Sequence, residues 1–239
     1  KQLLEKLIST PSFSKEEDKT ADLIQDYLRQ KRVKTERKKN NIWAINAHYD
    51  AAKPTLLLNS HHDTVKPNKG FTLDPFTPIE KEGRLYGLGS NDAGGCLVSL
   101  IATFLYYYEQ EHLPFNIILL ASAEEEISGV NGVEMVLPLL PKIDFGIVGE
   151  PTLLEMAIAE RGLLVLDVVA TGKAGHAARE EGESALYKIL PDIEWFKSFE
   201  FEKVSNLLGK VKMSVTVIET ENKQHNVVPS TCKMVVDVR

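Results

Sequence analysis

Short apolar runs with the length of β-strands alternate with longer segments of helical periodicity up to about residue 161. Apolar positions between 21 and 28 fall on one face of a helix. Strands that alternate with helices are typical of α/β proteins, so the pattern predicts a mostly parallel sheet flanked by helices. The predicted strands cover residues 42–47, 55–59, 115–121, 144–148 and 155–159, and further helices cover 93–108 and 131–139.

Local signals refine three of these segments. Ser14 and Glu17 have the spacing of a capping box, which predicts the start of the first of these helices. Residues 62–90 are rich in Pro, Gly and Asp, which favours loops and a short hairpin. Residues 93–108 are apolar on nearly all sides, so we expect a buried helix that starts just after Asp92.

The pattern changes after Arg161. Strands are predicted at residues 163–170, 212–218 and 233–238, with one helix at 184–196. This β-α-β-β order is typical of a small α+β domain. We therefore expect two domains, 1–161 and 162–239.

Metal-binding and acidic residues follow three of the predicted strands. His61 and Asp63 come after the second strand, Glu124 to Glu126 after the third, and Glu150 after the fourth. In open α/β sheets, ligands bind beyond the carboxyl ends of the strands. The sequence therefore predicts one acidic, histidine-containing pocket at this edge of the sheet.

Such a pocket would require cations. Carboxylates that crowd together raise one another's pKa and oppose folding unless a cation neutralises them. Imidazole and carboxylate without thiolate suit Zn²⁺ or a related transition ion, and several carboxylates suit a two-metal site. The acidic residues of the predicted pocket are Asp63, Asp92, Glu125, Glu126 and Glu150.

Each of these residues also has a purely structural explanation. His61 alone is more often a core or surface histidine, and Asp92 before residue 93 fits a helix N-cap. The Glu124 to Glu126 run could be a solvated turn, and Glu150 a loop carboxylate. Their recurrence at successive strand ends favours the metal site, because four independent coincidences would otherwise be needed.

Composition and motifs exclude several other functions. The net charge of −6 and a pI near 5.6 argue against nucleic acid or an anionic membrane as partner. The chain has two cysteines and no apolar run of about 20 residues, so we expect a cytoplasmic protein. Residues 87–92 contain G-x-G, but Asp92 stands at the third glycine and would repel a phosphate. No G-x-S-x-G motif is present.

Six short segments, spread over essentially the whole chain, carry a family resemblance: SHHDTV, GLGSNDAGG, ASAEEEISG, IVGEPT, GKAGHAA and HNVVP. Together they resemble the co-catalytic zinc amidohydrolases. This family includes acetylornithine deacetylase, succinyl-diaminopimelate desuccinylase, aminoacylase and carboxypeptidase G. Three longer segments carry a narrower likeness to bacterial acetylornithine deacetylases: LLLNSHHDTVKPN, GHAAREEGESALYK and LLGKVKMSV.

The resemblance implies a role for each residue of the predicted pocket. His61 and Glu150 would bind one zinc ion, Asp92 would bridge two, and Glu126 would bind the second. The family's last metal ligand, a late histidine, has no counterpart before residue 239, so we interpret the chain as part of a longer polypeptide.

Two further features of the pocket follow from the same resemblance. Asp63 would orient His61, and Glu125 would be the general base. A non-proline cis peptide is expected between Asp92 and Ala93. His62 lies beside a ligand, but alternation along an extended segment should point it elsewhere.

The resemblance implies that the first domain is a zinc-peptidase-like catalytic domain. The second would be a ferredoxin-like lid and dimerisation domain inserted into it, and both domains would be incomplete in this chain. His176 would steady the oxyanion in the partner subunit's active site, with Asn226 in a similar role. Arg239 would grip the substrate α-carboxylate, and Arg161 is a weaker candidate for substrate binding. Alternatively, His176 caps a turn and Arg239 is a strand-end charge.

The resemblance implies zinc-dependent hydrolysis of an N-acyl amino acid by a homodimer, with Co²⁺ as a substitute metal. N2-acetyl-L-ornithine is the first substrate expected, and succinylornithine or succinyl-diaminopimelate is the alternative. If the polypeptide ended at Arg239, a non-catalytic metal-binding or assembly module would be favoured instead.

Overall fold

The computed structural model describes all 239 residues and divides them into two compact units, Lys1–Leu154 and Glu155–Arg239. This division falls before the boundary expected near residue 162. The strand predicted at 155–159 is wrong, because this segment belongs to no helix or strand. Met156 and Ile158 are 85% and 76% exposed, so the apolar alternation there has no sheet to pack against.

The first unit contains seven strands: β1 (Glu36–Lys38), β2 (Asn41–Ile45), β3 (Thr55–His61), β4 (Ile79–Lys81), β5 (Arg84–Tyr86), β6 (Asn116–Ser122) and β7 (Phe145–Val148). Five of them form a mixed sheet with the order β1-β2-β6-β3-β7. The other two, β4 and β5, form a short antiparallel hairpin within the loop-rich segment, as predicted.

The prediction of a mostly parallel sheet is wrong for half of it. Strand β3 runs parallel to β6 and β7, whereas β1 pairs antiparallel with β2, and β2 antiparallel with β6. Parallel neighbours need a crossover of a dozen or more residues. Only residues 39–40 separate β1 from β2, and only 46–54 separate β2 from β3, so these connections are too short for one.

The core fills both faces of the sheet. Alternate residues of β3 and β6 point to opposite faces, and every residue of both strands is buried. Helices pack on one face, where they contribute Ile24, Leu28, Leu97, Ile101 and Phe104 to the core. The helices of this unit are α1 (Gln2–Ile8), α2 (Asp18–Gln30), α3 (Cys96–Tyr107) and α4 (Val133–Val136).

Two helix predictions need correction. Helix α2 begins at Asp18, and neither Ser14 nor Glu17 caps it with a side chain, so the capping box is wrong. Helix α3 is preceded by an irregular turn, Ser90–Gly95, in which Asp92 and Ala93 have non-helical backbone angles, and the helix is buried on one face only. Tyr106, for example, is 73% exposed, because the helix lies against a single sheet face.

The second unit shows the predicted β-α-β-β order. Strands β8 (Leu164–Thr171), β10 (Met213–Thr220) and β12 (Thr231–Val238) form an antiparallel sheet in the order β10-β12-β8. Helix α5 (Ala185–Ser198) begins after Ser184, whose side chain accepts a hydrogen bond from Tyr187 N–H. Two shorter strands, β9 (Gly175–His176) and β11 (Val227–Val228), pair antiparallel with each other. In the sequence, β9 follows β8 and β11 precedes β12. None of the helices in either unit combines the length and hydropathy needed to cross a bilayer.

Candidate metal centre

Three parallel strands deliver the predicted side chains to one edge of the sheet. His61 is the last residue of β3, Glu125 follows β6, and Glu150 follows β7. Asp92 comes from the irregular turn before α3, where its backbone angles are non-helical. Because β3, β6 and β7 are neighbours that run in one direction, their carboxyl ends meet, as the sequence pattern predicts.

The imidazole of His61 stands at the centre of these carboxylates. Its Nε2 lies 3.1 Å from Asp92 Oδ1, 3.7 Å from Glu125 Oε2 and 3.9 Å from Glu150 Oε2. The His61 side chain is 1% exposed, whereas the Asp92 and Glu125 side chains are 57% and 53% exposed. The group therefore has a buried nitrogen at its base and carboxylates that open to solvent.

Glu126 completes a cluster with metal-binding geometry. Donor atoms of His61, Asp92 and Glu126 all lie within 4.8 Å of one another. One imidazole and two carboxylates at this separation can share a single ion. The structure thus brings together the ligands that the sequence predicted on separate segments.

Asp63 organises this cluster from behind. Its carboxylate accepts hydrogen bonds from the backbone N–H groups of Glu125 and Glu126, at 3.0 and 3.2 Å, and from Ser14 Oγ at 2.7 Å. Its Oδ1 also lies 3.4 Å from His61 Nδ1. Burial alone would raise the pKa of Asp63, but the hydrogen bonds from His61, Ser14 and Glu125 outweigh burial and lower it.

The peptide bond between Asp92 and Ala93 is cis, as the family resemblance implied. Ala93 and Gly94 are buried where the turn packs, and Gly94 N–H donates to Gly89 O at 2.9 Å. Gly89 has a φ of +71°, and a Cβ there would lie 2.6 Å from Thr64 Cγ2. The turn that carries Asp92 therefore requires glycine at position 89.

The electrostatics of the cluster favour a positive charge. Burial lowers the pKa of His61, but the hydrogen bond and charge of Asp63, with the charges of Glu150 and Glu125, raise it to about 9. Burial, followed by the charge of Asp92, raises the pKa of Glu126. Burial also raises the pKa of Glu150; His61 opposes this shift, whereas neighbouring carboxylates add to it.

The donor set fits a divalent transition ion. Imidazole and carboxylate are ligands that Zn²⁺ accepts. No lysine or arginine pairs with Asp92, Glu125, Glu126 or Glu150, so a bound cation would supply the missing positive charge. Burial and nearby carboxylates raise the pKa of the neighbouring Cys96 thiol.

His62 points away from the cluster, as alternation along β3 predicts. Its Nδ1 lies 2.9 Å from Thr20 Oγ1, and its Nε2 lies 2.8 Å from Asn40 O. Burial lowers the pKa of His62. His62 therefore joins α2 to the strand and is no ligand.

The sequence interpretation missed two residues beside the cluster, Ser14 and Glu17. Ser14 donates to Asp63, and Glu17 accepts hydrogen bonds from Glu124 N–H and Asn40 Nδ2. Their spacing was visible, but it suggested a helix cap. The partners lie far along the chain, which no local pattern reveals.

The remaining predicted site residues belong to the second unit. His176 pairs with Val227 between β9 and β11, and Ala177 N–H donates to Asn226 O at 2.9 Å, so His176 and Asn226 lie on adjacent segments. His176 is exposed, and its Nδ1 accepts a hydrogen bond from Ala178 N–H at 3.1 Å. The ring therefore makes the turn-capping contact, and its role toward the oxyanion stays a prediction.

The two arginines of this unit also have local partners. Arg239 Nε lies 3.2 Å from Asp237 Oδ1. Arg161 donates to Leu208 O from Nε and Nη2, at 3.2 and 2.6 Å. Their substrate contacts stay predictions.

Comparison with known proteins places these features in a family. Residues 57–233 match the model of peptidase family M20/M25/M40. Succinyl-diaminopimelate desuccinylase of Pelagibacter ubique is 30% identical over 211 residues, covering 82% of this chain and 54% of that protein. Acetylornithine deacetylase of Proteus mirabilis is 33% identical over 201 residues, covering 77% and 51%. The chain thus spans about half the length of these two relatives.

Solved structures show the same fold. An M20 family metallo-carboxypeptidase from Sulfolobus solfataricus matches 99% of this chain and 70% of its own, with a TM-score of 0.70 and 18% identity. A tripeptidase from Staphylococcus aureus matches 100% and 65%, with a TM-score of 0.68 and 20% identity. At these identities the likeness concerns the fold alone.

Proposed function

Because the chain belongs to peptidase family M20/M25/M40, we propose that it is part of a zinc-dependent hydrolase that cleaves the amide bond of an N-acyl amino acid. The observation that carries this proposal is the cluster of His61, Asp92 and Glu126, whose donor atoms lie within 4.8 Å of one another. Glu125 and Glu150 face the same imidazole nitrogen. This arrangement combines metal ligands with a carboxylate that is free to move protons.

Four residues would hold the metal. His61 and Glu150 would bind one ion, Asp92 would bridge two, and Glu126 would bind the other. Zn²⁺ is the expected metal, with Co²⁺ as a substitute, because imidazole and carboxylate donors suit both. When bound, the metal supplies Lewis acidity, which polarises the amide carbonyl and brings the pKa of a water to about 7.

Glu125 is the proposed general base. Its carboxylate is 53% exposed, and its backbone N–H donates to buried Asp63, so the side chain reaches solvent from a fixed main chain. Glu125 takes a proton from the attacking water as the C–O bond forms, and delivers it to the nitrogen as the C–N bond breaks. The products are a carboxylic acid and a free amine.

Residues of the second unit would bind substrate. We assign His176 and Asn226 to the oxyanion, because an exposed ring and an adjacent amide can both donate hydrogen bonds. Arg239 would bind the substrate α-carboxylate, for which a guanidinium has matching geometry, and Arg161 is a further candidate. In a homodimer formed through this unit, His176 would act on the partner's substrate.

Subunit complementation tests that arrangement. We would mix inactive His176→Ala and Glu125→Gln variants of the full-length protein and measure hydrolysis. If His176 acts across the dimer, mixed dimers regain one intact site and activity returns. A monomer by light scattering, or a mixture that stays inactive despite subunit exchange, would contradict the trans role.

Two acyl groups, acetyl and succinyl, are candidates, and each of the two relatives described above supports one of them. N2-acetyl-L-ornithine is the first candidate substrate, and succinylornithine or succinyl-diaminopimelate is the alternative, in which the succinyl group adds a carboxylate that a cationic side chain must pair. A site built for that charge rejects the acetyl compound strongly, whereas a small apolar site rejects the succinyl compound. The ratio of kcat/KM on acetylornithine and succinylornithine, which differ only in the acyl group, decides between the two acyl groups.

The central experiment measures amine release by the full-length protein after metal removal and titration with Zn²⁺. Activity that appears with metal and saturates near two equivalents supports the proposal. Glu134→Gln serves as the control, because Glu134 is an exposed carboxylate that follows the cluster residues in sequence. This variant should behave as wild type. Metal binding without hydrolysis of either acyl amino acid would favour a non-catalytic metal-binding module.

A further inference from the structure

Glu17 is a buried carboxylate with no cationic partner. It is 0% exposed, and its hydrogen-bond partners are two backbone N–H groups and one side-chain amide, none of them a lysine or arginine side chain. Its Oε1 accepts hydrogen bonds from Lys15 N–H at 2.8 Å and Glu124 N–H at 3.1 Å, and its Oε2 accepts one from Asn40 Nδ2 at 3.0 Å. Burying a charge without a counterion is costly even when it is hydrogen-bonded, so stability alone is a poor reason for this carboxylate.

The contact with Glu124 falls at the bend that leads into the cluster. Glu124 has a φ of +54°, in the left-handed region that residues other than glycine disfavour. It is 6% exposed, so its N–H would be buried and unpaired without Glu17. The left-handed bend ends strand β6 and redirects the next two residues, Glu125 and Glu126, toward His61.

Three consecutive backbone amides are fixed by two carboxylates. Glu124 N–H donates to Glu17, and the N–H groups of Glu125 and Glu126 donate to Asp63. The two acceptors are themselves tied to one short segment, since Ser14 Oγ donates to Asp63. The turn before α2 therefore holds the proposed base and a proposed metal ligand by their main chain.

We propose that Glu17 is a positioning residue, which fixes the left-handed bend at Glu124 so that Glu125 and Glu126 reach the metal cluster. This inference rests on the proposed hydrolase function. Glu17 acts through the backbone and touches neither substrate nor metal. Its loss displaces two functional carboxylates at once, whereas the loss of another buried polar contact of α2 displaces neither.

Four variants of the full-length protein test the role. Glu17→Ala removes the acceptor, and Glu17→Asp keeps the charge but withdraws it by one methylene. Glu17→Gln keeps an oxygen that can accept from Glu124 N–H, so it is the rescue variant. Gln25→Ala is the matched control, because Gln25 is a buried polar residue of the helix that Glu17 precedes, and its side chain hydrogen-bonds only to Thr35.

We expect Glu17→Ala and Glu17→Asp to lower kcat on the order of 10²-fold with little change in KM, since a displaced base slows chemistry more than binding. Co²⁺ affinity should fall about 10–100-fold, with a changed visible spectrum of the bound ion. Glu17→Gln should restore both readouts. Gln25→Ala should lower the melting temperature and leave kcat and the spectrum unchanged.

The readouts separate this inference from the proposed function. Wild-type kcat and an unchanged Co²⁺ spectrum in Glu17→Asp would overturn the positioning role, as would equal losses in Gln25→Ala at a matched drop in melting temperature. If the wild type hydrolyses no acyl amino acid, the proposed function fails. The Co²⁺ affinity and spectrum of the Glu17 variants then still decide whether Glu17 positions Glu126.

Discussion

Asp63 contacts His61 through both its main chain and its side chain. His61 Nδ1 lies 3.0 Å from Asp63 O and 3.4 Å from Asp63 Oδ1. Both residues are buried, at 1% and 0% side-chain exposure, so the imidazole has little freedom to rotate. The opposite nitrogen, Nε2, is thereby directed at Asp92, Glu125 and Glu150. Such a partner fixes the orientation and tautomer of a ligating histidine.

Replacing Asp63 by Asn should weaken metal binding. The amide keeps the shape of the carboxylate, but its NH₂ group would face a backbone N–H of Glu125 or Glu126 and could not accept from it. We expect Zn²⁺ affinity to fall about 10–100-fold, measured by competition with a chromophoric chelator. Asp144→Asn is the matched control, because Asp144 accepts Thr55 N–H at the other end of β3. Unchanged affinity in Asp63→Asn would remove Asp63 from this role.

Replacing Glu125 by Gln should abolish turnover and retain metal. The amide cannot take the proton of water, and general bases contribute about 10²–10⁴-fold to rates. Metal content by mass spectrometry should stay at the wild-type value, because the proposed ligands are Asp92, Glu126, Glu150 and His61. A Gln variant with near-native kcat would exclude Glu125 as the base, and one that loses metal would make it a ligand.

The strand-end residues could be predicted from the sequence because their signal is local. An apolar run forms a buried strand, so the polar residue that follows the run lies at the end of that strand, at the edge of the sheet. Ser14 and Glu17 could not be assigned, since their partners Asp63 and Glu124 lie 49 and 107 residues away. Their contacts depend on how the start of α2 packs against β3 and β6, which the 14–17 spacing does not encode.

Neither the direction of the strands nor the roles of the second-unit residues could be predicted from the local sequence pattern. The length of an apolar run predicts a strand but not its direction, which here follows from the short connections around β2. The segment 155–159 alternates like a strand, yet it belongs to no strand. The roles of His176, Asn226 and Arg239 came from family resemblance, because nothing local to them distinguishes a substrate contact from a turn or strand end.

Glu126→Gln should stabilise the metal-free protein and destabilise the metal-loaded one relative to wild type. Burial and the charge of Asp92 raise the pKa of Glu126, which shows that its charged form is disfavoured without a cation. Removing that charge relieves repulsion, so the melting temperature in chelator should rise. In Zn²⁺ the wild type should have the higher melting temperature. Zn²⁺ at 100 times its Kd adds about 2.7 kcal/mol to the free energy of unfolding, and the variant gains less because it binds Zn²⁺ less tightly.

The control for this reversal is Glu134→Gln, which removes an exposed carboxylate that belongs to no cluster. Its melting temperature should match wild type with and without metal. A lower melting temperature of Glu126→Gln in chelator would mean that Glu126 stabilises the fold through some other contact. The functional explanation of the acidic cluster would then be weakened, since active-site charges are expected to cost stability.

Gly149→Ala should disturb the metal centre through packing alone. A Cβ at position 149 would lie 2.9 Å from Leu100 Cδ1 and 3.1 Å from Cys96 Cβ, and Gly149 N–H donates to Asn59 O at 2.8 Å. The Leu100 side chain can rotate away, but Cys96 Cβ is fixed on α3, so the end of β7 must shift slightly, and Glu150 is the next residue. Overpacking of this kind costs about 1–3 kcal/mol, measured by denaturant unfolding.

Zn²⁺ affinity should fall together with that stability, because Glu150 Oε2 lies 3.9 Å from His61 Nε2 and moves with the strand end. Gly162→Ala is the control, since a Cβ there would meet nothing within 4 Å. It should leave metal affinity unchanged and stability within about 1 kcal/mol of wild type. If Gly149→Ala lowered stability and kept full metal affinity, Glu150 would reach the ion independently of its strand, or would not be a ligand.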